Sequence, residues 1–199
     1  MNIVLMISGK QGSGKTTLAK SVGLWALNCR QDFFVYPLKF ADPLYEMHHS
    51  IKEIMRSVGE PIEGTDGTLL QMLGDWGRAR RQTLFVDILR RRVEQIVERS
   101  IVDNTNRLIL IDNARFENEI DCVKNSLDTR VIRVRLEASE HVRQVRAEKW
   151  RPAVGHKSEV GLDNYSFFDK IIFTDSLSAH DTTEATTKLI EERLLWKPS

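Results

Sequence analysis

Between an apolar run, Ile3 to Ile7, and a helix-like stretch opening at Lys15 stands Gly9-Lys10-Gln11-Gly12-Ser13-Gly14-Lys15-Thr16. It matches G-x-x-x-x-G-K-[ST] at every fixed position, in the strand-to-helix setting the motif requires. No other feature of the chain limits its fold so tightly. Glycines at 9, 12 and 14 let the backbone take positive φ and turn N–H groups inward, a concave set of donors for a phosphate. A helix starting near Lys15 adds the positive end of its dipole. Lys15 is placed to reach the β- and γ-phosphates of ATP, and the Thr16 hydroxyl to ligate Mg²⁺. Gly12, Ser13, Gly14 and Thr17 complete the expected ATP-binding set. The alternative, a glycine-rich turn that merely joins strand to helix, loses because motif and context agree.

Beyond the loop, short β-branched runs alternate with longer helical ones, the pattern of a parallel sheet covered by helices. Strands are predicted at 33–38, 108–111, 131–136 and 171–173. Helices are predicted from Asp42-Pro43 toward Met55, at 69–73, at 83–97, from about Asn118, and at 183–195. The segment 139–164 is polar, Arg-rich and interrupted by Pro152 and Gly155, so it reads as a lid-like insert standing outside the core. The expected architecture is one α/β domain over 1–199: three layers, α/β/α, around a central, mainly parallel five-stranded sheet.

Charge and composition narrow the partners. The 29 Lys and Arg against 28 Asp and Glu leave a net charge of +1, so no global field draws the chain onto nucleic acid or an anionic membrane. The opening apolar run reaches a glycine loop too soon for a signal peptide, and no stretch approaches a membrane span, so a cytoplasmic protein is expected. Cys29 and Cys122 have no companion at metal-ligand or redox spacing and read as buried reduced thiols.

Three further groups of residues bear on chemistry. Asp112, closing the apolar run 108–111, is placed to hold Mg²⁺ directly or through water; an ordinary turn residue is the alternative. Arg115 stands at the same rim, where a guanidinium can grip a second phosphate with Glu119 orienting it, unless the two form a surface ion pair of little consequence. Arg143, Arg146 and Trp150 share one face of a possible helix, with Lys149 and Arg151 beside them. Such a segment can close over ATP and supply charge to the transferring group, or be a solvated basic face.

Four stretches besides the phosphate loop look familiar together: Phe40-Ala41-Asp42-Pro43-Leu44, then 69–78 ending Gly74-Asp75-Trp76-Gly77-Arg78, then Arg115-Phe116-Glu117-Asn118-Glu119, and His156-Lys157-Ser158-Glu159. With these the chain resembles the phage-type deoxynucleoside monophosphate kinases of the P-loop kinase superfamily. The resemblance implies transfer of phosphate from ATP, with Mg²⁺, to a dNMP. It implies an acceptor region over about 40–87, in which Gly74, Asp75 and the aromatic surroundings of Trp76 and Phe85 form a pocket and Arg78 and Arg115 hold the phosphate. Phe40, Ser158 and Glu159 belong to motifs of the likeness, Lys10 and Lys39 sit beside the site, and a homodimer fits it. Two positions depart: Asn113 stands where the family commonly has Asp, and Phe85 where it often has Trp.

Two other classes remain open. A P-loop kinase with a hydroxyl acceptor needs a base, for which Asp42 is the candidate. A nucleic-acid-stimulated ATPase needs a basic groove studded with aromatic residues, which the sequence lacks.

Overall fold

The structure is a computed structural model that describes residues 1–30, 32–147 and 160–195. Strand β1 (Asn2–Gly9) is followed by α1 (Lys15–Cys29), β2 (Phe33–Leu38), α2 (Asp42–Ser57), α3 (Gly67–Arg80), α4 (Leu84–Val102) and β3 (Asn106–Ala114). Then come α5 (Glu117–Ile120), β4 (Thr129–Glu137), α6 (Glu140–Arg146), β5 (Lys170–Phe173) and α7 (Ala179–Leu195). The strands form a five-stranded sheet in the order β2-β3-β1-β4-β5, every pair parallel. This is the P-loop kinase-like α/β architecture: β1 lies at the centre, and its carboxyl end opens into the crevice where such sheets bind ligands.

Period-two alternation divides β1 between two cores. Ile3, Leu5 and Ile7 pack with Leu18, Val22 and Ala26 of α1 and Ile190 of α7 on one face. Val4 and Met6 pack with Leu89 and Val93 of α4 and with Ile120 on the other. A strand buried on both sides must be apolar throughout, which is why 3–7 carries no charge. α2 and α3 pack on each other, and α3 also packs on α4.

The structure differs from the expectations in four places. β3 runs on through Asp112 and Asn113 to Ala114, so Asp112 is inside the strand. The pairing with β1 shifts there, from Met6↔Ile111 to Ser8↔Ala114, a bulge of the kind that re-aims side chains beside a site. The helix expected from Asn118 is only α5, four residues long, because the apolar stripe ends: Leu127 is exposed and Asn125 turns back to accept the Val131 N–H. The segment 139–164 is not wholly outside the core, since Leu162 is 4% exposed and packs in the α4-side cluster. Cys29 is exposed and not buried; Cys122 is half-buried, and burial followed by the Glu119 charge pushes its thiol up to about 12. No helix among the described residues is long and apolar enough to cross a membrane.

Candidate active site

The loop after β1 has the shape its sequence asks for. Gly12 (φ 77) and Gly14 (φ 97) lie in the left-handed region, and Gly14 is the N-cap of α1. At Gly12 space also forbids a side chain, because a Cβ would come within 2.3 Å of the Arg143 carbonyl oxygen. Lys15 lies across the loop, its Nζ donating to the Lys10 carbonyl at 2.7 Å, and the Ser13 N–H donates to the same carbonyl at 3.2 Å. Ser13 is buried at 1% exposure, while Thr16 and Thr17 are exposed at the start of α1.

Asp112 is 7% exposed and lies in the bulge of β3, between the paired residues Ile111 and Ala114. No cluster of three or more His, Cys, Asp or Glu exists among the described residues. Mg²⁺ in a phosphate loop needs none: one hydroxyl, one nearby carboxylate and the phosphate oxygens suffice. Thr16 and Asp112 fit that donor set.

Across the crevice, the α3 and β3 ends supply cations. The half-buried Glu119 carboxylate accepts the Arg115 N–H at 2.7 Å. Burial pushes the Glu119 carboxyl above the ordinary range; the backbone bonds of Arg115 and Phe116 pull it partly back, as do the charges of Arg115 and Arg78. The charge of Arg78 therefore reaches an acid 41 positions away in sequence. Arg78 donates to Asp75 at 2.7 Å, and the Gly74 Cα lies against its guanidinium, which a Cβ would meet at 3.0 Å. At the β2 end, Lys39 is exposed; its N–H donates to Asp42 Oδ2 at 2.7 Å. The Phe40 N–H donates to the side-chain oxygen of Asn113 at 3.2 Å. Asn113, where the resembled family commonly has Asp, therefore ties β2 to the bulge of β3.

The structure does not bring the aromatic residues to that same face. Trp76, with Leu69, Met72 and Leu73, lines an open apolar groove of about 830 Å³ between α2, α3 and α4. Helix geometry sets this stripe roughly opposite Gly74 and Arg78. Trp76 is 54% exposed with Arg80 over its ring at 5.5 Å. Phe85 is 7% exposed and packs against Gly77, where a Cβ would meet its ring at 2.6 Å.

The two arginines of α6 part company as well. Arg143 donates to the Gln11 carbonyl at 3.3 Å and to the Ala138 carbonyl at 3.2 Å, so it sits on the phosphate loop. Arg146 instead donates to the Thr174 hydroxyl at 3.0 Å and carbonyl at 2.7 Å, beyond the end of β5. It lines a cavity of about 140 Å³ with Gly14, Thr17, Leu136, Thr174 and Ser178. Thr174 and Ser178 escaped the sequence reading because nothing local marks them. Lys10 pairs at 2.9 Å with Asp163, a third residue that no motif singled out. Lys149, Trp150, Arg151, His156, Ser158 and Glu159 lie outside the described residues.

Neither a known family profile nor a curated protein matches the chain. Among solved structures, shikimate kinase from Aquifex aeolicus vf5 is similar over 99% of this chain and 100% of its own, at 15% identity and a TM-score of 0.49. Shikimate kinase from Acinetobacter baumannii, in complex with shikimate, covers 98% and 95% at 19% identity and 0.49. An unliganded sugar kinase from Janibacter covers 96% and 94% at 18% identity and 0.43. The substrates in those names are those proteins' own.

Proposed function

We propose that the chain is a deoxynucleoside monophosphate kinase, transferring the γ-phosphate of ATP to a dNMP to give dNDP and ADP. One observation carries the reading: the glycine loop after β1 is shaped for a triphosphate, and Arg115, at the carboxyl end of β3, donates its N–H to the half-buried Glu119, whose carboxyl also feels the charge of Arg78. Two anion sites at one sheet edge suit a reaction between two polyanions. A hydroxyl acceptor needs a base instead; Asp42, whose Oδ2 accepts the Lys39 N–H, is the residue whose replacement tests that alternative.

In this reading the attacking atom is an oxygen of the acceptor phosphate, ionised near neutral pH because the second phosphate pKa is about 6. Its bond to the γ-phosphorus forms as the bond from that phosphorus to the β,γ-bridging oxygen breaks, and ADP departs with the electron pair. No proton must be removed, so catalysis reduces to in-line placement and charge neutralisation. Arg78 and Arg115 hold the acceptor phosphate, Lys15 leaves the Lys10 carbonyl for the β- and γ-phosphates, and Arg143 braces the loop through Gln11. The donor nucleoside lies toward the cavity of Thr17, Thr174 and Arg146. Thr16 and Asp112 would hold Mg²⁺, which would supply charge neutralisation at the phosphates.

A coupled assay with ATP over the four canonical dNMPs, their ribo counterparts and alcohol acceptors tests this. Turnover with at least one dNMP and none with the alcohols is expected. Preference for an alcohol, or ATP hydrolysis stimulated by DNA and not by dNMP, overturns the reading.

A further inference from the structure

We propose that Asp163 is a positioning residue for the nucleotide: it holds the Lys10 ammonium at the lip of the phosphate loop in the free chain and surrenders it to an incoming nucleotide phosphate. The inference rests on the nucleotide-binding reading of the loop. The Lys10 Nζ to Asp163 Oδ2 distance is 2.9 Å, with the side chains 30% and 33% exposed. They are enclosed enough to have one preferred geometry and open enough to exchange partners.

The two ends of this pair are not equivalent. Asp163 Oδ1 accepts from Arg135 Nη2 at 2.6 Å, and Arg135, 6% exposed, also donates to the Leu162 carbonyl at 2.8 Å and to Glu137. The Phe168 ring lies under the same guanidinium at 5.7 Å. Asp163 is therefore fixed to the sheet, and Lys10, on a glycine loop, is the movable partner. Burial alone would push the Asp163 carboxyl up; the bonds from Lys10 and Arg135 more than offset this and hold it below the ordinary value.

Lys10 also carries the carbonyl that accepts from Lys15. In the free chain both loop lysines are thus occupied by contacts that centre on residue 10, one through its carbonyl and one through its ammonium. A phosphate oxygen, bearing full charge, is a stronger acceptor than a peptide carbonyl and competes with a carboxylate on equal terms. When Lys10 leaves, Asp163 keeps Arg135 and is not stranded as a buried unpaired charge. What remains is one guanidinium shared by two carboxylates, Asp163 and Glu137. That residual negative charge opposes the transfer of Lys10, so the pair restrains nucleotide affinity.

Titration with Mg²⁺ and the non-hydrolysable ATP analogue AMPPNP, by calorimetry, over a double-mutant cycle tests this. Asp163→Asn is expected to tighten AMPPNP binding about 1.5- to fivefold, the range for a partly exposed ion pair. Lys10→Met is expected to weaken it, and in the double variant the Asp163→Asn gain should vanish. Unchanged or weaker binding by Asp163→Asn, or the same gain without Lys10, overturns the hand-over. If Asp163→Asn fails to fold, Lys10→Met decides, and unchanged affinity in it overturns the proposal. Failure of the unmodified chain to bind AMPPNP overturns the nucleotide reading as well, whereas normal binding with a flat cycle overturns the hand-over alone.

Discussion

In the proposed reaction Lys15 serves the ATP phosphates and Arg115 the acceptor phosphate, and neither belongs to a core cluster. Replacing either by Ala is expected to lower kcat by about 10³ or more, the lower end for cationic groups in phosphoryl transfer. The thermal midpoint should stay nearly unchanged, and steady-state kinetics beside a melt separates the two effects. Gly12 presents a different limit: Gly12→Ala meets both the positive φ of 77 and the Arg143 carbonyl at 2.3 Å. Loss of AMPPNP binding with folding retained is the expected calorimetric result. Glu119 offers a test in pH. Its carboxyl is raised by burial, so the folded state binds a proton more readily than the unfolded one. Stability then falls as pH rises from the unfolded value, about 4.3, through the folded one. Glu119→Gln should raise the midpoint at pH 8, and the gain should disappear below about pH 4. A gain that stays constant over this span would contradict the assignment.

Helix α3 carries Arg78 and is anchored by its first turn. Asp66 accepts the Thr68 and Leu69 N–H groups at 2.9 and 3.0 Å, and its own N–H donates to Nε2 of the buried His48 at 3.1 Å. Asp66→Ala should cost about 1 kcal/mol in urea unfolding, as loss of an N-cap does. The KM for dNMP should rise with it, because the helix that this cap holds carries Arg78 in its last turn. The bulge of β3 is the corresponding device in the sheet. It carries Asp112 and Asn113 between the paired residues Ile111 and Ala114, and the Asn113 side chain accepts the Phe40 N–H. A strand ending at Ile111, as its apolar pattern suggests, would hold neither residue in the sheet.

The whole chain gains stability from what it binds. Mg²⁺ with AMPPNP at 100 times its Kd should add about 2.7 kcal/mol by mass action, raising the midpoint by several degrees for a chain of 199 residues. Phosphate alone at the same concentration should give a smaller rise. A near-neutral charge of +1 means that nothing but the local site draws anions in. Salt should therefore weaken AMPPNP binding only modestly.

Reading residues alone settled whatever depends on neighbours in sequence: the positive-φ glycines, the helix that begins at Lys15, the apolar central strands and the parallel sheet they imply. Those properties come from backbone sterics and burial periodicity, which act over a few residues. The reach of the Arg78 charge to Glu119, and the turning of Trp76 into a separate groove, needed the fold. So did the division of labour between Arg143 and Arg146, and the pairing of Lys10 with Asp163. Strand order and helix rotation set these approaches, and Lys10 and Asp163 lie 153 positions apart. No local pattern specifies which distant carboxylate a lysine will find; packing of the sheet against its helices does.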